Sequence, residues 1–235
     1  MPRKLRNEAF LIPAPTLPTE WTPANLSSLA ASCYRHAPLL ARLMMTYRPY
    51  IVPFGLLMAV VPNNARVLDI GCGAGLFLAL LARTRGLASG TGVDASGAAV
   101  AAARAMAESI GAEAHLEFVR SNDVTGWPGG TFDVVSLIDV MHHVASANRQ
   151  GFFAAAAARV APGGLLLYKD MVSRPLWRAA ANRFHDLVLA RQWIRYVPYD
   201  AAAAWAGQAG LPEEWHVLVN RLWYGHELAV FRRPA

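Results

Sequence analysis

Three glycines at alternate positions, Gly71, Gly73 and Gly75, follow a short apolar run, Val67 to Ile70, that carries one carboxylate, Asp69. A glycine-rich turn between a strand and a helix brings main-chain N–H groups to a ligand at the helix N-terminus. Residues without a Cβ let the backbone turn tightly and let the ligand lie against it. Nineteen residues beyond Gly75, a second apolar run ends in Asp94. A carboxylate at the tip of a neighbouring strand is placed to accept hydrogen bonds from both hydroxyls of a ribose, and its charge repels a 2′-phosphate. The spacing is G-x-G-x-G, with Leu76 at the sixth position. The dinucleotide fingerprint requires a small residue there, so a nucleoside is indicated and a dinucleotide is not.

The stretch Val67-Leu68-Asp69-Ile70-Gly71-Cys72-Gly73-Ala74-Gly75, read with Asp94, resembles the first motif of the class I S-adenosylmethionine-dependent methyltransferases. That resemblance implies S-adenosyl-L-methionine as cofactor. It places Asp69, Gly71, Cys72, Gly73 and Gly75 around the cofactor at the first strand tip, and Asp94 with Ala95 at the second. Asn122, Asp123 and Val124 follow the third strand, where the superfamily position matched by Asp123 accepts from the adenine amino group. Ile138 and Asp139, ending the fourth, fall beside the adenosine or methionine portion. From residue type alone Asp123 also reads as the carboxylate of an Asx turn.

Methyl transfer is an in-line displacement at a sulfonium whose leaving thioether needs no acid. Much of the catalysis is the alignment of nucleophile, methyl and sulfur in a dry site. A base is needed only where the acceptor carries a proton of high pKa. The candidates are His142, His143, Lys169, Asp170 and His185. The His-His pair also reads as a cap on the turn after the fourth strand, and Lys169-Asp170 as a salt-bridged pair closing the sheet. Two adjacent histidines without a nearby partner make poor ligand spacing, so no metal is expected.

The elements that must hold these residues follow from apolar periodicity. Strands are predicted at 66–70, 90–94, 115–119, 131–138 and 163–169, and helices at 75–84, 96–110, 147–160 and 200–209. Two further apolar runs, 215–222 and 227–232, read as an antiparallel hairpin. Alternating strands and helices specify an α/β domain. The resemblance implies a Rossmann-like sheet of seven mostly parallel strands in the order 3-2-1-4-5-7-6, with strand 7 antiparallel and helices on both faces. Residues 63–235 form this cofactor domain. Residues 1–62 are an irregular arm followed by two or three helices broken by Pro38, Pro49 and Pro53. Their apolar residues, among them Leu39, Leu40, Leu43, Met44 and Phe54, read either as core or as a lid over the cofactor, with Tyr34, Arg35, Tyr47 and Arg48 as its polar members.

Between the fifth strand and the next helix lies an insertion, 171–199. It places Trp177, Phe184, Trp193, Tyr196 and Tyr199 beside five arginines, Arg174, Arg178, Arg183, Arg191 and Arg195. Superfamily members often build their acceptor pocket in this region. The same residues also read as core with a solvated basic face, or as a surface docking on an anionic membrane or an acyl carrier. The 235 residues suit one α/β domain. Net charge is +6, yet lysine occurs only at positions 4 and 169, so there is no basic tract. With no Asn/Asp-Pro-Pro-aromatic motif after the fourth strand, a nucleic-acid acceptor is not expected. Two lone cysteines, Cys33 and Cys72, give neither a disulfide framework nor metal spacing, and the expected compartment is the cytoplasm. The expected activity is methyl transfer to a small, hydrophobic or aromatic molecule. A membrane lipid or carrier-bound acyl acceptor, and a non-catalytic cofactor-binding scaffold, are the alternatives.

Overall fold

Apolar runs buried on both faces build the centre of the sheet, and its two edge strands are partly exposed. β1 (Arg66–Ile70), β2 (Ser89–Asp94), β3 (Leu116–Arg120), β4 (Phe132–Ile138) and β5 (Val160–Met171) pair in parallel. β6 (Glu213–Arg221) and β7 (Tyr224–Arg232) form the hairpin, and β7 runs antiparallel to β5. The order is β3-β2-β1-β4-β5-β7-β6, as the resemblance implied. The computed structural model describes residues 17–172, 196–222 and 224–235. His185, Trp177, Phe184, Trp193 and the five arginines of the insertion lie outside the described residues, so their assignments stay expectations.

Seven α-helices occur among the described residues. α1 (Pro23–Cys33) opens with Pro23 at its first position and Thr22 accepting from the Asn25 N–H at 3.2 Å. α2 (Leu39–Ile51) and α3 (Phe54–Ala59) follow. α4 (Leu76–Thr84) is buried from Leu76 to Leu81 behind β1, and α5 (Gly97–Ser109) is capped by the Ser96 hydroxyl. α6 (Arg149–Ala157) and α7 (Tyr199–Gln208) cover the other face. Leu26, Ala30, Phe54, Leu57 and Met58 share one core with Val67 and Leu78, so the N-terminal helices and the cofactor-domain sheet have a common interior.

Two expectations are corrected. Pro49 does not break a helix: it lies inside α2, in the last turn, where a missing N–H removes a single bond. Nor do the N-terminal apolar residues behave alike. Phe54, Leu57 and Met58 are core, whereas Leu39, Leu40, Leu43 and Met44 on α2 are exposed.

Candidate functional site

The glycine turn is folded round the tip of β2: the N–H groups of Gly71 and Cys72 both donate to the Val93 carbonyl, at 2.7 and 3.0 Å. The three glycines have different reasons. At Gly71 (φ +76°) a Cβ would meet Val140 Cγ2 at 2.6 Å, and at Gly75 (φ +83°) it would meet the Phe118 ring at 2.9 Å. Gly73 (φ +55°) has nothing within 4 Å and presents bare backbone to solvent. Its N–H donates to Asp94 Oδ2 at 2.8 Å, while Ser96 N–H donates to Oδ1 at 2.8 Å. Asp94 therefore orients the turn as well as lining the cleft beside it.

That cleft encloses about 670 Å³, with Gly71, Asp94, Ala95, Asn122, Asp123 and Val124 among its walls. Asp123 accepts from Thr125 N–H at 2.8 Å and Gly126 N–H at 3.3 Å through Oδ1 and is exposed, so the Asx-turn reading describes it. The Thr125 hydroxyl and amide hold its carboxyl below the usual range. His143 lines this same cleft, on the nucleoside side of the turn.

On the other side of the glycines is a recess of about 60 Å³, lined by Asp69, Cys72, Gly73, Ile138 and, from α2, Arg48. Burial pushes the Asp69 carboxyl up to about 6, although the Ser136 hydroxyl donates to it at 2.6 Å. Burial also raises the Cys72 thiol, which stays neutral. α1 is tied to the turn by the Tyr34 hydroxyl, which donates to the Ala74 carbonyl at 2.6 Å. Of the four polar residues expected in a lid, Tyr34 and Arg48 reach the site; Tyr47 is exposed, and Arg35 bonds His36 and the Ser109 carbonyl.

Beyond the recess, the tips of β4 and β5 gather a buried polar cluster. Asp139 adopts φ +55°, a left-handed conformation held by its N–H donating to the Lys169 carbonyl at 2.8 Å. Lys169 Nζ donates to its carboxylate, and Arg48 lies 3.6 Å away. The cations Lys169, Arg48 and His142 outweigh burial and hold the Asp139 carboxyl well below the usual range. Lys169 and Asp170 are not a salt bridge with each other. Neighbouring strand residues point to opposite faces, so Lys169 turns to Asp139 and Asp170 to His142, whose Nδ1 lies 2.5 Å from Asp170 Oδ1. Burial acts to lower the His142 pKa, but Asp170 and Asp139 reverse it and the net direction is upward.

His142 is therefore not without a partner, as adjacency to His143 alone suggested. Asp139, His142 and Asp170 bring ligand-type atoms within 4.8 Å of one another, although Lys169 and Arg48 already occupy the Asp139 carboxylate. His226, opposite Met171 across β5 and β7, completes the cluster. Burial and the Lys169 charge lower its pKa to about 3, so it is neutral. Sequence reasoning passed over His226; a histidine inside an apolar hairpin strand was the available signal. Tyr199, expected near an acceptor pocket, instead stacks on His216 at 3.8 Å and donates to Glu213.

The model of a methyltransferase-domain family matches residues 44–212. The chain belongs to this family. Two curated relatives are ubiquinone biosynthesis O-methyltransferases: one from Maricaulis maris, 38% identical over 132 residues, and one from Xanthomonas axonopodis pv. citri, 29% identical over 159. The match covers 56% and 65% of this chain, and 48% and 65% of the respective relatives' own lengths. Among solved structures, magnesium protoporphyrin IX methyltransferase from Synechocystis, with bound S-adenosylhomocysteine, superposes with a TM-score of 0.60 at 16% identity. That superposition covers 93% of this chain and 89% of the other. An O-methyltransferase family protein from Burkholderia thailandensis gives 0.63 at 22%, covering 90% and 60%. These structural likenesses show the fold.

The cofactor of this methyltransferase domain is S-adenosyl-L-methionine, and the residues present suit it. Gly71 and the Asp94 carboxylate line a cleft large enough for a nucleoside, and bare backbone at Gly73 lines the adjoining recess. The adjoining recess offers a carboxylate, Asp69, and a guanidinium, Arg48, opposite charges for the ammonium and carboxylate of a methionine portion. Leu76 is buried in α4 packing, so the place where a dinucleotide motif needs a small residue is filled.

Proposed function

We propose that this methyltransferase domain methylates a hydroxyl on a small, apolar, aromatic acceptor, with His142 as the proton acceptor. The observation that carries the reading is the buried His142–Asp170 pair at the tips of β4 and β5. When bound, the cofactor supplies a methyl group made electrophilic by its sulfonium. A phenol with a pKa of about 10 is mostly protonated at neutral pH and attacks well only as it loses that proton. Asp170, holding His142 through Nδ1, leaves Nε2 as the accepting atom and stabilises the imidazolium that forms. An imidazole pKa raised above its ordinary value brings the base closer to the phenol. Lys169 and Arg48 neutralise Asp139, leaving Asp170 to serve the histidine.

The His142 side chain is only 3% exposed, so acceptor entry displaces a neighbour. Arg48, half-exposed and 3.6 Å from its partner, is the loosest member around Asp139. Oxygen as the target atom draws support from the O-methyltransferase relatives.

The test is turnover of an alkyl-substituted catechol against the matching aniline and thiophenol, using cofactor labelled in its methyl group. The catechol is expected to be methylated. His142→Gln is expected to lower kcat by about 10²–10⁴ and flatten the rising limb of the pH profile, with the cofactor Kd unchanged. Full turnover by His142→Gln, or methylation of nitrogen or sulfur with the catechol inert, overturns the reading.

A further inference from the structure

The outward face of α2 is apolar. Leu39, Leu40, Leu43, Met44, Tyr47 and Tyr50 are between 38% and 74% exposed. At 3.6 residues per turn they fall on one arc of about 140°, running the length of the helix. The opposite face carries the packing: Met45 lies against the core, Pro49 is buried, and the Thr46 carbonyl accepts from Ser27 at 2.7 Å. This is the reverse of an ordinary surface helix, whose apolar stripe turns inward. Leu222, 63% exposed, follows Arg221, which shares a cavity wall with Pro49 of α2.

The stretch that carries the arc has no acidic residue of its own between Glu20 and Asp69. Of its arginines, Arg48 is paired with Asp139 and Arg66 with Asp133, which leaves Arg35 and Arg42 beside the arc. Arg42 borders the arc, and exposed Arg35 and His36 lie in the connection leading into α2. We infer that the outer face of α2 seats on an anionic lipid surface, its leucines and methionine in the acyl boundary and the exposed Arg35 and Arg42 among the headgroups. Tyr47 and Tyr50, with ring centroids 6.3 Å apart, are amphipathic side chains suited to the headgroup level. A second copy of the chain fits this face less well, because a two-fold contact presents the same acid-free helix and so offers Arg35 and Arg42 no carboxylate. No helix among the described residues is long and apolar enough to cross a membrane, so the contact is peripheral. This inference is independent of which acceptor is methylated.

The experiment is co-sedimentation of the full chain with phosphatidylcholine vesicles, with and without about 30% phosphatidylglycerol. Binding is expected only with the anionic lipid, and is expected to weaken at least about fivefold as NaCl rises from about 0.05 to 0.5 M. The triple change Leu40→Ser, Leu43→Ser, Met44→Ser is expected to weaken it at least about tenfold. Calorimetry with the cofactor reports folding separately: the triple variant is expected to bind S-adenosylmethionine like the parent, whatever happens on vesicles. Equal binding to neutral vesicles, or none to anionic ones, overturns the inference. So does loss of binding on replacing Arg174, Arg178 and Arg183 by glutamine while the α2 changes have no effect. A dimer that the triple change dissociates, without vesicle binding, assigns the face to a second copy and likewise overturns it.

Discussion

Asp69 makes cofactor affinity depend on pH in a direction the structure fixes. In the free protein burial lifts its carboxyl from the ordinary 3.8 to about 6. The ammonium and sulfonium of S-adenosylmethionine favour the ionised form, so binding draws this pKa back toward its ordinary value. Above pH 6 the carboxylate is ionised free and bound, and affinity is level. As pH falls through 6 the free protein takes up a proton that binding must expel, and affinity drops by up to tenfold per pH unit. If the pKa returns fully to 3.8, the loss amounts to about 3 kcal/mol, roughly 150-fold, complete near pH 4. Calorimetry from pH 7.5 to 5 measures the slope, with methylthioadenosine, which lacks both positive charges, as the ligand expected to show none. Asp69→Asn keeps an acceptor for Ser136 while removing the charge. It is expected to abolish the slope and to weaken S-adenosylmethionine at pH 7.5 by about 1.5–3 kcal/mol. Stability moves the opposite way. A raised folded-state pKa contributes stability that is present below about pH 4 and lost as pH rises through 6, so at pH 7.5 the ionised carboxyl is a burden. Asp69→Asn is therefore expected to raise the thermal midpoint of the cofactor-free protein, by about 2–4 °C per kcal/mol. A level affinity from pH 7.5 to 5, or a slope that survives in Asp69→Asn, refutes the reasoning.

Asp94→Ala removes both the carboxylate that lines the cleft and the acceptor that holds the glycine turn. Because Asp94 also accepts from Gly73 and Ser96, differential scanning should show a loss of about 1–3 kcal/mol of stability alongside an affinity loss of at least about tenfold. Arg48→Gln breaks a half-exposed ion pair worth about 0–1 kcal/mol, so the midpoint should hold. If Arg48 meets the methionine portion, the variant should lose about tenfold or more in S-adenosylmethionine affinity and nothing toward methylthioadenosine. An equal loss for both ligands would place Arg48 elsewhere.

The sheet was legible because its information is local. Val67 to Ile70 and Phe132 to Ile138 are short, mostly apolar runs ended by glycine or aspartate, and the hairpin is two such runs about a short turn. The nucleoside cleft was legible for the same reason: Gly71 and Asp94 sit at strand tips whose positions follow from strand order. The cluster beside it depends on distances that sequence does not carry. Arg48 meets Asp139 across 91 positions, because α2 lies over the carboxyl end of the sheet. Asp170 meets His142, and not Lys169, because strand alternation sends adjacent residues apart and the parallel register of β4 and β5 decides what each finds. Pro49 and the outward leucines of α2 were misjudged on composition: apolar content locates a helix without saying which side faces in.

The Tyr34–Ala74 bond bears on how the domain can be cut. The family match begins at residue 44, which invites an expression boundary just ahead of it. Such a boundary discards α1, and with it Leu26, Ala30 and Cys33 from the interior and the hydroxyl that steadies the carbonyl between Gly73 and Gly75. Trp21, under the Arg85 guanidinium at 4.7 Å, belongs to the same scaffold. The smallest unit that keeps its ligand-facing turn in shape therefore begins ahead of Trp21, and the helices outside the conventional domain are part of its foundation.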